Sequence, residues 1–249
     1  MIAIIGGSGL TQLANLEITH RQIVRTPYGE PSGPLTFGRI GSRQVAFLAR
    51  HGYGHTLAPH EINYRANLWA LNAQQAKRVI AVCTVGAISP ALSAGMIALP
   101  DQIIDYTWGR PSTYFEGAEQ PVTHIDFTHP YDEETRRMAL EAARDAGVPL
   151  FDGGTYAATQ GPRLETKAEI DRIERDGATM VGMTGMPEAA LARELKLAYA
   201  ALAVVVNPAA GRGASAHAVS IDDIARVVEE TMGGVRLIVA RLVERHGGS

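Results

Sequence analysis

Six short apolar runs, separated by longer amphipathic stretches, restrict this chain to a β-sheet buried under helices. The runs cover residues 2–5, 44–49, 79–82, 102–106, 180–183 and 198–206. Their apolar content on both faces is the pattern of strands covered from two sides. Helical periodicity fills residues 63–74, 133–146, 167–176, 187–195 and 221–245. Thr166 with Glu169, and Ser220 with Asp223, have the spacing for reciprocal capping. Pro187 suits a first helical position, where its missing N–H is harmless. Gly233-Gly234 predicts a break or kink in the last helix. Neither a repeat nor a linker divides the 249 residues, and 46% hydrophobic content is ample for one core. The expectation is a single α/β domain spanning 1–249.

The net charge of −3 carries no cluster of Lys or Arg, which argues against a nucleic-acid or membrane-surface partner. The one cysteine, Cys83, has no partner for an intrachain disulfide, as suits a reducing compartment. The opening Met1-Ile2-Ala3-Ile4-Ile5 is too short for a signal peptide or a membrane span. These features predict a cytoplasmic location.

Several of the apolar runs stop on polar groups. The first runs into Gly6-Gly7-Ser8-Gly9, where backbone N–H groups and the Ser8 hydroxyl suit an anion as well as a tight turn. The spacing is not that of a dinucleotide fingerprint, and no Walker lysine follows. Arg50-His51 ends the second run; arginine offers a planar fork for phosphate and the neighbouring histidine a further donor. His55 and His60 follow, raising a metal site, but paired carboxylate or cysteine ligands are missing from the stretch. Thr84-Val85-Gly86 predicts a strand-to-loop junction with free N–H groups. Glu165 stands before a helix start, where it is either a dipole partner or a pocket group. Thr184 and Asn207 end two more runs, Asn207 directly before Pro208. Convergence of such ends on one sheet edge would build a polar pocket.

Five segments taken together resemble the trimeric purine nucleoside phosphorylases. They are Gly6-Gly7-Ser8-Gly9-Leu10, Ala49-Arg50-His51-Gly52, the stretch 63–71, Gly161-Pro162-Arg163-Leu164-Glu165-Thr166 and the stretch 181–188. The pattern is most similar to the methylthioadenosine phosphorylase branch and, within it, to bacterial S-methyl-5'-thioinosine phosphorylases. The resemblance implies a mixed sheet curling towards a barrel, flanked by helices, and a homotrimer with sites at subunit boundaries. It implies inorganic phosphate as co-substrate, a nucleoside as the other substrate, and no metal or organic cofactor. Phosphate would be held by Ser8, Arg50, His51, the Thr84 backbone N–H and Thr184. The base would lie between Val85-Gly86 and Leu164, facing Glu165 and Asn207, with Asn207 and His51 carrying the catalytic roles. Met183 would pack under the ribose, Ile221 and Ile224 around a 5'-methylthio group, and His124 would reach into the neighbouring subunit's site. The chain departs from the pattern at three places. Cys83 stands where Thr is frequent, Leu164 where an aromatic residue usually stacks, and Asn207 with Ala209 where adenine-using relatives have two aspartates.

Glu165 and Asn207 together predict a 6-oxopurine. Such a base presents N1–H to a carboxylate and O6 to an amide N–H₂, whereas adenine would face the carboxylate with a lone pair. Each mismatch in a dry pocket costs about 1–3 kcal/mol. The sugar end leaves two readings open. Ile221 and Ile224, three apart at a helix start, are either core or lining for a methylthio group. His217 is near enough in sequence to meet a 5'-hydroxyl instead. The expected reaction is phosphorolysis of S-methyl-5'-thioinosine, with inosine/guanosine or methylthioadenosine phosphorolysis as alternatives. A non-catalytic nucleotide-binding module is a further, different class.

Overall fold

In the computed structural model, which describes residues 1–10, 13, 15–118 and 121–246, strands from the whole length of the chain join in one mixed sheet. In chain order the elements are β1 (Ile2–Gly6), β2 (Glu17–Gln22), β3 (Leu35–Ile40), β4 (Arg43–Ala49), α1 (Tyr64–Ala73), β5 (Arg78–Ala87), β6 (Ile97–Leu99) and β7 (Gln102–Asp105). They continue with α2 (Glu133–Asp145), β8 (Phe151–Asp152), β9 (Thr155–Ala158), α3 (Lys167–Arg175), β10 (Met180–Gly182), α4 (Gly185–Glu194), β11 (Ala198–Pro208) and α5 (Ile221–His246).

The sheet turns on β5. A strand has two hydrogen-bonding edges, yet β5 has three partners, so one edge is shared along its length. One edge pairs in parallel with β11 from Ala198↔Arg78 to Pro208↔Ala87. The other pairs in parallel with β1 only up to Ile5↔Ala81, then with β10, antiparallel, at Val181↔Gly86 and Met180↔Ala87. β1 leads on to β4, β3 and β2, and β10 to β9 and β7, so the sheet forks here and bends over itself. The curl implied by the resemblance is built at this strand. Between Ala81 and Gly86 the forked edge has no strand partner, and a cleft opens there.

Alternate residues of the central strands serve two cores. Ala3, Ile5, Ala46 and Leu48 face one layer with Leu68 and Leu71 of α1 and Ala189 and Leu191 of α4. Ile2, Ile4, Val45 and Phe47 face the other, with Ala139 and Ala142 of α2 and Val235, Ile238 and Val239 of α5. Ile170 and Ile173 anchor α3 on Ala157 and Val181 in a smaller cluster. Helix starts follow side-chain capping: Asn63 accepts from the Ala66 N–H, Asp132 from Thr135, and Thr166 with Glu169 forms the complete box. Ser220 accepts from the Asp223 N–H at 3.2 Å, while the Asp223 carboxylate turns to Arg226 rather than back.

Two expectations change, and the helix start expected at Pro187 holds. α5 runs unbroken through Gly233-Gly234. Its buried face, including Val227, Met232, Val235 and Leu242, outweighs the roughly 1 kcal/mol that each mid-helix glycine costs. Gly234 is there for packing, since a Cβ would lie 3.2 Å from Val148 and 3.3 Å from Ile97. The junction expected at Thr84–Gly86 is continuous strand, because β11 pairs with β5 through Ala87. α4 begins at Gly185, but Met186 is extended (φ −121°, ψ 142°), so regular helical geometry resumes at Pro187.

Candidate active site

The fork opens into a cavity of about 510 Å³. It is lined by Ser8, Arg50, His51, Thr84, Val85, Gly86, Leu164, Glu165, Met183, Thr184, Asn207, Ile221 and Ile224. Thirteen of the fourteen residues that the resemblance assigns to the site thus meet in one space. His124 does not; it is exposed, in the irregular segment before α2, and outside its own chain's cavity.

One end is built for an anion. Arg50, at the close of β4, is 1% exposed and reaches Glu188 of α4 with a two-pronged pair, Nε to Oε2 at 2.6 Å and Nη2 to Oε1 at 2.8 Å. Nη1 donates to the Val82 carbonyl on the unpartnered edge of β5 at 2.9 Å. Three of the guanidinium's five N–H groups are thereby held, leaving two for a ligand. Burial opposes the charge most strongly, but the Glu188 carboxylate outweighs it and raises the pKa above the ordinary arginine range. Tyr199 completes the cluster by donating to Glu188 Oε1 at 2.7 Å. Gly7 makes room for it: a Cβ would sit 2.5 Å from the Val82 carbonyl oxygen and 3.0 Å from Arg50 Nη1.

His51 plays a different part from the donor expected. Its Nδ1 lies 2.8 Å from the Leu57 carbonyl, so the ring proton belongs there and Nε2 keeps a lone pair. Burial, with Arg50 and His55 nearby, lowers its pKa to about 4 despite that bond, so the ring is neutral at pH 7. A neutral Nε2 accepts, and its natural complement is a P–O–H group. The His55 ring lies tilted against that of His51, centroids 4.5 Å apart, and its Nε2 is 3.4 Å from Ser8 Oγ. Among the described residues no group of three or more His, Cys, Asp or Glu is placed to hold a metal. Thr184 is 7% exposed at the N-terminus of α4, where its side chain makes no cap. Cys83 turns its thiol to the Leu202 carbonyl, and burial pushes its pKa up to about 12, so it stays protonated.

Other lining residues suit a purine and an apolar substituent. A bulge in β11 between Val205 and Asn207 sets Asn207 opposite Gly86. The Asn207 amide donates to the Pro208 carbonyl at 2.6 Å, leaving Oδ1 and one N–H. Glu165 Oε1 accepts from Thr159 Oγ1 at 2.6 Å, and its other oxygen remains for a ligand. Leu164 stands at the mouth, 38% exposed. Ile221 is 64% exposed and lines the cavity, so it is not core packing; Ile224 lines it too while packing on the α5-side core. His217 is exposed and is not among the cavity residues.

A family model described as the phosphorylase superfamily matches residues 1–244. The chain belongs to that superfamily. It is 51% identical over 241 residues, 97% of each chain, to a probable S-methyl-5'-thioinosine phosphorylase from Pseudomonas syringae pv. tomato. It is 48% identical over 215 residues to a 6-oxopurine nucleoside phosphorylase from Pyrococcus furiosus, covering 84% of this chain and 80% of the relative. Among solved structures, methylthioadenosine phosphorylase from Schistosoma mansoni in complex with adenine is similar, with a TM-score of 0.95. That match has 30% identity and covers 100% of this chain and 92% of the other.

Within this phosphorylase the sequence reading missed the supports of the site. Glu188 appeared only as part of a motif, and Tyr199 not at all. A glutamate inside Met186-Pro187-Glu188-Ala189-Ala190-Leu191, an otherwise apolar helix start, is the signal that points to a buried partner.

Proposed function

We propose that this phosphorylase cleaves S-methyl-5'-thioinosine with inorganic phosphate, releasing hypoxanthine and 5-methylthioribose 1-phosphate. The observation that carries the reading is the polarity of the cavity. Arg50 and Thr184 for the anion, Glu165 and Asn207 for the base, and the apolar Ile221 and Ile224 for the 5' substituent all line one cavity. Ser8, the two remaining Arg50 N–H groups, Thr184 and the Thr84 backbone hold phosphate, and His51 Nε2 accepts a hydrogen bond from its P–O–H group. A phosphate oxygen attacks C1' as the C1'–N9 bond breaks; positive charge on the sugar is met by the bound dianion. The electron pair of the broken bond leaves on the purine, which takes up one proton at N7 through solvent for the one the hydrogen phosphate gives up as the ester forms. Asn207 Oδ1 accepts from that N7–H and Glu165 from N1–H. Met183 lies under the ribose, and Val85, Gly86 and Leu164 sandwich the base. Both reactants are held in one frame, so orientation supplies much of the rate and the step needs neither a metal nor an organic cofactor.

A methylthio rather than a 5'-hydroxyl substituent is supported by Ile221 and Ile224 lining the cavity while the exposed His217 is not among its residues. The small-molecule partners are thus a methylthionucleoside and phosphate. We further propose a cytoplasmic homotrimer in which the exposed His124 loop completes the neighbour's site. Comparing kcat/KM for S-methyl-5'-thioinosine, inosine, guanosine and methylthioadenosine, with and without phosphate, tests the reading. Equal turnover of inosine contradicts the methylthio assignment.

A further inference from the structure

Arg110 is 8% exposed and lines no part of the cavity, yet it touches three of the segments that do. Nη1 donates to the Met183 carbonyl at 2.9 Å and the Met186 carbonyl at 2.7 Å, the two peptides that bracket Thr184. Nη2 donates to the Gln160 carbonyl at 2.7 Å and lies 3.3 Å from that of Thr159, whose hydroxyl holds Glu165. Nη1 is also 3.3 Å from the Tyr64 hydroxyl, which donates to the carbonyl of Pro59 on the cavity wall. Among the described residues no carboxylate pairs with Arg110, so every acceptor on the guanidinium is a neutral dipole. A buried cation without a counter-charge is unfavourable. Its fork does what a lysine could not: two prongs hold the phosphate-side loop and two the base-side loop in one plane.

We propose that Arg110 is the positioning residue that locks Thr184 and Glu165 into one frame, so that phosphate and purine affinity both depend on a residue touching neither. The proposal rests on the phosphorolysis reading above.

The test is the KM pattern of R110M, which fills similar volume without donors, and of R110A with added guanidinium chloride. In folded R110M, KM for phosphate and for nucleoside each rise about tenfold to a hundredfold, more than kcat falls. Millimolar guanidinium restores activity to R110A, and equal sodium chloride does not. If R110M fails to fold, R110K, which keeps charge but not the fork, shows the same paired rise. Unchanged KM values in either folded variant, with only kcat reduced, or R110A activity that guanidinium does not restore, overturn the proposal. Wild-type enzyme assayed alongside separates the two claims: no phosphate-dependent release by wild type refutes the functional reading. Normal wild-type turnover with unaltered variants refutes only the role of Arg110.

Discussion

At the scale of single residues, the site depends on groups whose ionisation is set by burial and by one or two partners. Arg50 and Glu188 are almost fully dehydrated together, so removing the carboxylate leaves an uncompensated cation in the core. Glu188→Ala is expected to lose about 3–5 kcal/mol of stability by chemical denaturation. The milder Glu188→Gln should raise KM for phosphate more than KM for nucleoside. His51 has a folded pKa near 4 against an ordinary value of 6.5, so the unfolded chain binds the extra proton first. Stability from this residue is therefore full above pH 6.5 and is lost as pH falls from there towards 4. A denaturation series across that window should show a shallower slope for His51→Asn than for the wild type. Asn207 sets the base. Asn207→Asp should shift the ratio of kcat/KM for methylthioadenosine over S-methyl-5'-thioinosine upwards by about tenfold or more. An unchanged ratio means that Asn207 does not choose the base.

Which residues were visible before the fold was known follows from the same physics. Ser8, Arg50, Thr184 and Asn207 each close an apolar run, and a polar group at the end of a buried strand stands out locally. Glu188, Arg110 and Tyr199 meet their partners only through tertiary structure: Arg50 and Glu188 are 138 positions apart. The tautomer of His51 was equally hidden, because it is decided by the carbonyl of Leu57 in the turn that follows.

At the scale of elements, the central strands were legible because burial on both faces makes them continuously apolar. β2 was not: all six residues of Glu-Ile-Thr-His-Arg-Gln are exposed, and its pairing with β3 holds it in place. β8 and β9, two and four residues long, are too short to carry a period. The long last helix gives a direct check on packing against propensity. Gly233 is exposed, helical and has nothing within 4 Å of a would-be Cβ, whereas Gly234 meets Val148 and Ile97. Gly233→Ala should stabilise by about 0.4–1 kcal/mol and raise the thermal midpoint. Gly234→Ala should gain less or lose, as the new methyl presses on the strand side. Equal effects at both positions would mean that the helix is not seated as closely as the structure has it.

At the scale of the whole molecule, the fork at β5 explains why a cavity exists at all. A sheet that kept β1 on β5 to the end would close the edge from which Val82 holds Arg50. The fork also brings β11, with its bulge, and β10, with Thr184 beyond it, to opposite sides of the same opening. The cavity leaves Ile221 and Leu164 partly exposed at its mouth, and His124 lies outside it. Light scattering on the purified protein should give three times the 26.6 kDa chain mass. In that assembly His124→Ala should raise KM for nucleoside while leaving the phosphate site intact.

The measurement that bears most directly on the central claim is the release of free base from S-methyl-5'-thioinosine and inosine, each with and without phosphate. The account predicts release that requires phosphate, forms one 5-methylthioribose 1-phosphate per hypoxanthine, and favours the methylthio substrate. Release without phosphate would contradict the reaction, and equal or faster release from inosine would contradict the role given to Ile221 and Ile224.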